Sequence, residues 1–327
     1  MDSANRYLSR THVTALSSDK RLLRDIWGDV WGVSNEYGKI RKALMRRPGP
    51  ETLLLHKDGK NIHPSPLIYQ KVKGTTPQDG SNTTEPDYRL MQQQYEDFRN
   101  VLANEGIEII ELEGESEGWP ERTFTRDLGL VIPGGVILTR LALELRYGET
   151  RMAQQTYASR GMPILGAIQG NGFAEGGSFM MLDSKTAAIG RTERVNNDGI
   201  EQAKQILSIY DIELITVDLP STIIHLDEAF LVVDHKKALV NCELLPYWFL
   251  DHLLQKGYKL IHVDPEDPPL TINVLPVAPG RVVIASSGIR TIELLEKNGV
   301  TTIPVEVGEM YKLGGGIHCL VLPLVRD

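Results

Sequence analysis

The chain has 327 residues, 41% of them hydrophobic and 24% charged, enough apolar material for a large core in one domain or two. A formal net charge of -8 leaves no basic excess to neutralise phosphates, so it argues against nucleic acid as a partner and suits a small cationic one better. Only two cysteines occur, Cys242 and Cys319, which cannot build a disulfide framework. They fit a reducing, cytoplasmic setting, and the polar stretch Met1 to Lys20 has no apolar core of the kind a secretory signal or membrane anchor needs.

In chain order, Asp19 to Trp31 reads as a short helix, and residues 1–30 as an N-terminal extension, with the fold proper starting near Trp31. Lys39 to Met45 and Thr52 to Leu55 read as strands around the Pro48-Gly49-Pro50 turn. His56 to Asp87 is polar, rich in Gly, Pro, Thr and Asn, and without sustained periodicity, which predicts a long loop or a lid. The spacing of Leu90, Tyr95, Phe98 and Leu102 predicts a helix over Tyr88 to Asn104, closed by Gly106 before a strand at Ile107 to Leu112.

The alternation of helix and strand then recurs. Helices are predicted at 148–160, 198–210, 246–255 and 290–297, and strands at 186–189, 213–217, 259–263, 281–285 and 302–305. Repeated strand and helix units imply an α/β fold.

Five polar islands interrupt apolar strands: Phe124-Thr125-Arg126-Asp127, Glu175-Gly176-Gly177, Arg191 to Arg194, His225-Leu226-Asp227-Glu228, and Gly314 to Cys319. Ionisable groups beside glycines at strand ends are where a scaffold presents reactive groups. Cys319 could be a small buried hydrophobe before Leu320-Val321-Leu322, but the preceding glycine run permits the close backbone approach of a binding surface. Cys242, after Ala238-Leu239-Val240-Asn241, has no such setting and is expected in the core.

His225 and Asp227 alternate on a segment, Thr222 to Val233, that reads as a strand, so both should share a face, where a carboxylate can orient the imidazole and favour its protonated form. A metal site at His225-x-Asp227 is disfavoured, because a di-metal hydrolase needs several such clusters. Asp127 could simply pair with adjacent Arg126, and Glu175 could be a turn residue. Taken together, though, several carboxylates with one histidine and one cysteine suit a guanidinium, whose planar fork donates hydrogen bonds in pairs to a carboxylate.

The same islands in the same order, together with Trp31-Gly32-Val33 and Arg46-Arg47-Pro48-Gly49, resemble the guanidine-modifying (pentein) superfamily of arginine deiminases, dimethylarginine dimethylaminohydrolases and amidinotransferases. The resemblance spans roughly Trp31 to Leu324. It implies a single catalytic α/β propeller of pseudo-fivefold symmetry over 31–327. From the residues themselves, no metal and no cofactor is expected. The resemblance further implies Cys319 as nucleophile, His225 as general acid and base, Asp127 and Asp227 as guanidinium binders, and Glu175 beside His225 and the substrate nitrogens. Arg146 and Arg194 match positions where members hold arginines for the substrate carboxylate. Ser178 departs from the acidic or amide residue that many members carry after the two glycines, so recognition there is altered.

The expected substrate is a small cationic guanidino compound, attacked at its central carbon to leave a thiouronium adduct that water resolves. Passage of the amidino group to an amine, or binding without turnover, are the alternatives. The sequence leaves open whether the chain forms a homo-oligomer.

Overall fold

A computed structural model describes residues 20–59, 85–114 and 118–327, so most of the expected loop from His56 to Asp87 and residues 1–19 of the extension lie outside the described residues. The described part of the extension carries helix α1 (Lys20–Trp27), which buries Leu22 and Leu23. No described helix is long and apolar enough to cross a membrane.

Helix α2 (Tyr88–Asn104) matches the predicted span. Asp87 caps its first turn by accepting from the amides of Arg89 and Leu90, and beyond its last turn Gly106 takes the left-handed φ of 78° that only glycine adopts without strain. Its inward face, Met91, Tyr95, Phe98 and Leu102, is at most 1% exposed. Each of these side chains contributes about 1.5–3 kcal/mol by leaving water.

The described strands form five three-stranded sheets of one construction. In the second, β3 (Gly129–Ile132) turns tightly into antiparallel β4 (Gly135–Leu138); helix α3 (Glu149–Ser159) then returns the chain to β5 (Ile164–Ala167), parallel to β4. The unit repeats as β6 (Phe179–Asp183), β7 (Thr186–Arg191), α4 (Asn197–Ser208) and β8 (Glu213–Asp218). It repeats again as β9 (Phe230–Asp234), β10 (Lys237–Val240), α5 (Tyr247–Gln255) and β11 (Lys259–His262), and as β12 (Leu275–Ala278), β13 (Arg281–Ala285), α6 (Ile289–Lys297) and β14 (Thr301–Val305).

After the short helix α7 (Gly308–Tyr311), the C-terminal strand β15 (Leu322–Arg326) pairs antiparallel with β1 (Ile40–Met45), opposing Leu322 to Leu44. Since β2 (Glu108–Glu111) runs parallel to β1, the two ends of the chain complete the same sheet pattern as the other four. This is the pseudo-fivefold α/β architecture that the family resemblance implied. Three clusters of buried apolar residues fill the space between sheets and helices.

Two expected strands are corrected. Thr52 to Leu55 lies in a 3-10 helix, Pro50–Gly59, because the amide and hydroxyl of Thr52 both close back onto the Gly49 carbonyl and no described strand pairs with the segment. Thr222 to Val233 is strand only from Phe230 onward. Before it, Leu226–Glu228 forms a 3-10 turn, held by the Glu228 carboxylate accepting from the amides of Ile224 and His225.

The fivefold repeat has a direct consequence for side chains. A short turn precedes the first strand of each sheet: Thr125–Leu128 before β3, Gly176–Ser178 before β6, Leu226–Glu228 before β9, Pro269–Ile272 before β12, and the turn through His318 and Cys319 before β15. Asp127, Glu175, His225 with Asp227, Asn273, and His318 with Cys319 all belong to these turns or adjoin them.

Candidate active site

The turns converge on a buried polar cluster. Asp127 accepts from the Gly177 amide at 3.0 Å through Oδ1 and from Arg146 at 2.6 Å through Oδ2. Gly177 has to be glycine here: a Cβ at that position would lie 2.6 Å from His225 Nδ1 and 2.9 Å from Asp127 Oδ1, overlapping both. Adjacent Arg126 does not pair with Asp127 but with Glu36 at 3.3 Å and with the carbonyls of Gly176 and Phe179.

His225 lies 2.8 Å from Glu175 through Nε2, and its Nδ1 is 3.7 Å from Asp127 Oδ1. Burial works against its proton, but Asp127, the bond to Glu175 and that group's charge outweigh it and push His225 up to about 9. The imidazole is therefore a cation at neutral pH. Burial acts on Glu175 in the opposite sense, yet Arg194, the bond to His225 and its charge hold the carboxyl below the usual range.

Cys319 Sγ lies 3.4 Å from Asn273 Oδ1 and 3.9 Å from Asp227 Oδ2, two oxygens that accept hydrogen bonds. A thiol can donate to them, whereas a thiolate would face them with like charge. Burial, with Asp227 and Asp127 behind it, accordingly pushes the Cys319 thiol well up. Asn273 also accepts from the amides of His318 and Cys319 and donates to the Asp227 carbonyl, which fixes the backbone that carries the sulfur.

Asp227 itself is fully buried, with Oδ2 2.7 Å from His318 Nδ1 and Oδ1 without a partner among the described residues. Burial first, then repulsion from Asp127, pushes its carboxyl up to about 6. His225 and Asp227 thus both enter the cluster, though by way of a turn rather than by strand alternation.

The remaining expected residues are placed differently. Arg146, expected to meet a substrate carboxylate, is already engaged: it donates to Glu149, to Asp127 and to the Phe124 carbonyl, and lies 3.5 Å from Glu121. Arg194 approaches Glu175 at 3.3 Å, while its buried Nε has no partner among the described residues. Ser178 is buried, its hydroxyl likewise without a partner among the described residues, and its amide donates to the Glu175 carbonyl. Cys242 is exposed after β10, not in the core as expected, because the chain leaves the sheet at Asn241.

Sequence reasoning assigned no role to Asn273, His318, Glu121 or Glu149. His318 stood in the Gly-rich run, but nothing in its spacing tied it to Asp227. Asn273 follows the turn Pro269–Ile272, which neither contains nor adjoins an acidic residue or a histidine, so only the repeat reveals it.

Among the described residues, five buried carboxyl groups (Glu121, Asp127, Glu149, Glu175 and Asp227) thus gather around the guanidiniums of Arg146 and Arg194 and the imidazoles of His225 and His318, with Arg126 also acting on Asp227. The shortage of positive charge shows in the carboxyls: burial, abetted by neighbouring acids, raises Glu121 and pushes Glu149 up to about 7 despite its bonds to Arg146. Ligand atoms of Asp127, Glu175 and His225 lie within 4.8 Å of one another, a spacing a metal ion could use. Arg146, Arg194 and the protonated imidazole already compensate those two carboxylates, so the donors do not suit a dication.

Five strand-strand-helix-strand sheets whose leading turns bring a cysteine, a histidine and acidic groups to one place define a guanidine-modifying (pentein) enzyme. The chain matches the sequence profile of the family described as "N,N dimethylarginine dimethylhydrolase, eukaryotic" over residues 77–326, and it belongs to that family.

It is 26% identical over 300 residues to the uncharacterized protein YkgA of Bacillus subtilis, covering 89% of this chain and 94% of that one. It is 26% identical over 242 residues to the N(G),N(G)-dimethylarginine dimethylaminohydrolase of Pseudomonas aeruginosa, covering 74% of this chain and 91% of that protein. In fold it is similar to a solved dimethylarginine dimethylaminohydrolase from the same organism complexed with citrulline (TM-score 0.70, 22% identity, 87% and 99% of the chains). It is similarly close to SxtG, an amidinotransferase from Microseira wollei (TM-score 0.70, 16% identity, 90% and 97% of the chains). Hydrolysis is the activity named for the family and for the Pseudomonas aeruginosa relative.

Proposed function

We propose that the protein is a cysteine hydrolase of a guanidino compound, with residues 31–327 as one catalytic unit. The observation that carries this reading is the surplus of buried carboxyl groups around a thiol kept neutral by Asp227 and Asn273. A site of that charge awaits a cation. A bound guanidinium donating to the open Oδ1 of Asp227 and to Asp127 offsets the carboxylates that oppose ionisation, so the nucleophile forms when substrate is present.

As the guanidinium binds, the Cys319 thiol releases its proton to solvent, and the thiolate attacks the guanidinium carbon. One C–N bond then breaks, and the departing amine or ammonia leaves with a proton from His225, which Glu175 holds in position. The amidino group stays on sulfur as a thiouronium adduct. Water attacks it, neutral His225 takes a proton from that water, and the C–S bond breaks to give a ureido product and the free thiol. Arg146 holds Asp127 from behind, and Arg194 does the same for Glu175. A hydroxyl at Ser178 replaces the charged or amide group expected there, which changes recognition away from the reacting carbon.

Incubation with arginine, methylated arginines and shorter guanidino compounds, with and without glycine as acceptor, tests the reading. Ureido product formed without acceptor supports it. Product that requires glycine would make the enzyme an amidinotransferase, and binding without any turnover, unaltered in Cys319→Ala, would make it a binding protein.

A further inference from the structure

A second concentration of charge lies beside the site, around a cavity of about 1030 Å³ whose wall includes Arg46, Arg47, Glu51, Glu96, Arg99 and Arg122. Three of the four arginines there are paired with glutamates: Arg47 with Glu96 at 3.2 Å, Arg99 with Glu111 at 3.5 Å and Arg122 with Glu51 at 2.7 Å. The fourth, Arg46, has no carboxylate partner among the described residues and donates to the Leu112 carbonyl. Two guanidinium nitrogens on this wall, Arg46 Nε and Arg122 NH1, are buried without a hydrogen-bond partner among the described residues, and Arg122 as a whole is 3% exposed. A buried charged donor left unsatisfied is costly, so two of them on neighbouring residues of the cavity wall, with one uncompensated positive charge, call for an anion.

The cavity's position adds to this. Leu44 opposes Leu322 in the β1–β15 register, so the chain that continues from β1 to Arg46 runs level with Leu320 and Cys319. Thr125 Oγ1 bridges the carbonyls of Leu44 and Leu320, and Thr123 Oγ1 bonds the Arg46 carbonyl. Arg122 adjoins Glu121, which faces Arg146, and Arg146 holds Asp127. The arginines expected at a substrate carboxylate, Arg146 and Arg194, are already occupied by the protein's own acids.

We propose that Arg46 and Arg122 form a binding site for a single carboxylate, either the far end of the guanidino substrate or a separate small acid. One uncompensated charge favours a monoanion over a dianion, and two neighbouring guanidiniums with a free donor each suit the paired oxygens of a carboxylate. Assigning that carboxylate to the substrate rests on the function proposed above; the existence of the site does not.

The test has two arms on the full-length protein. In the first, acetate replaces chloride at constant ionic strength. Wild type gains thermal stability saturably, and Arg46→Met loses that gain. In the second, γ-guanidinobutyrate and butylguanidine are compared as substrates through the ratio of their Michaelis constants, and Arg46→Met raises that ratio about tenfold if the substrate supplies the carboxylate. Loss of the acetate effect with an unaltered ratio identifies a separate acid and still supports the site. If neither compound is turned over, the guanidino reading is decided by the wider substrate panel above, while the acetate arm still decides the site. Arg46→Met is preferred to a change at Arg122, whose loss would strand Glu51. Identical responses of wild type and Arg46→Met to acetate, with an identical ratio of Michaelis constants, would overturn the proposal.

Discussion

His318 Nδ1 lies 2.7 Å from Asp227 Oδ2, and neither side chain is exposed. The contact occupies one oxygen of Asp227 and leaves the other, Oδ1, without a partner among the described residues. Burial, with Arg126 nearby, pushes His318 well down, so the imidazole is neutral and places its proton on the nitrogen facing an ionised Asp227. In the proposed reaction His318 is therefore a positioning residue, which sets the angle at which Asp227 meets the thiol and would meet a guanidinium.

Removing that anchor should affect binding more than chemistry. His318→Ala is expected to raise KM about tenfold or more with a smaller fall in kcat, and His318→Asn, which keeps a donor, to recover part of the loss. Steady-state kinetics on the three proteins check this. Equal falls in kcat and kcat/KM without any rise in KM would contradict a positioning role.

The sequence made the repeat of helix and strand legible where elements were amphipathic, as in Tyr88–Asn104. It concealed the inner strands: Gly129–Ile132 and Gly135–Leu138 are buried along their whole length, so no alternation marks them. Most of the chemistry-bearing residues were visible as polar interruptions, because an ionisable group inside an apolar run needs a reason. The pairings were not. That Asp127 faces Arg146 rather than Arg126, and that Asp227 faces His318, follows from turns of different sheets meeting in space. Periodicity within one segment cannot report this, and it misled where it was used, for His225 and Asp227.

The thiol of Cys319 is raised by burial, Asp227 and Asp127, so alkylation of the free enzyme by iodoacetamide should be slow at pH 7 and climb steeply as pH rises beyond that of an ordinary cysteine. Asp227→Asn removes one opposing charge and should shift the profile to lower pH. A wild-type profile with its midpoint below about pH 8 would contradict this account of the resting site.

His225 titrates at about 9 in the folded protein against 6.5 for an unperturbed imidazole. A folded value above the unfolded one means that its stabilisation is complete below about pH 6.5 and is lost as pH rises through about 9. The stabilisation lost is on the order of 3 kcal/mol. Melting temperature should therefore fall between about pH 7 and 10. Glu175→Gln, which removes the charge bonded to Nε2, should flatten that slope and move the alkaline limb of kcat/KM downward. Thermal melts and pH-rate profiles of both proteins measure it, and a slope unaltered in the variant would count against the Glu175–His225 pairing as its source.

Every step of the proposed reaction passes through one sulfur. Acid-quenched turnover followed by intact-protein mass spectrometry should reveal an added mass equal to that of the substrate minus its departing amine, located by peptide mapping on Cys319 and missing in Cys319→Ser, which should retain less than about a thousandth of the activity. Turnover by Cys319→Ser at a rate near wild type, or an adduct mapped to another residue, would contradict the account.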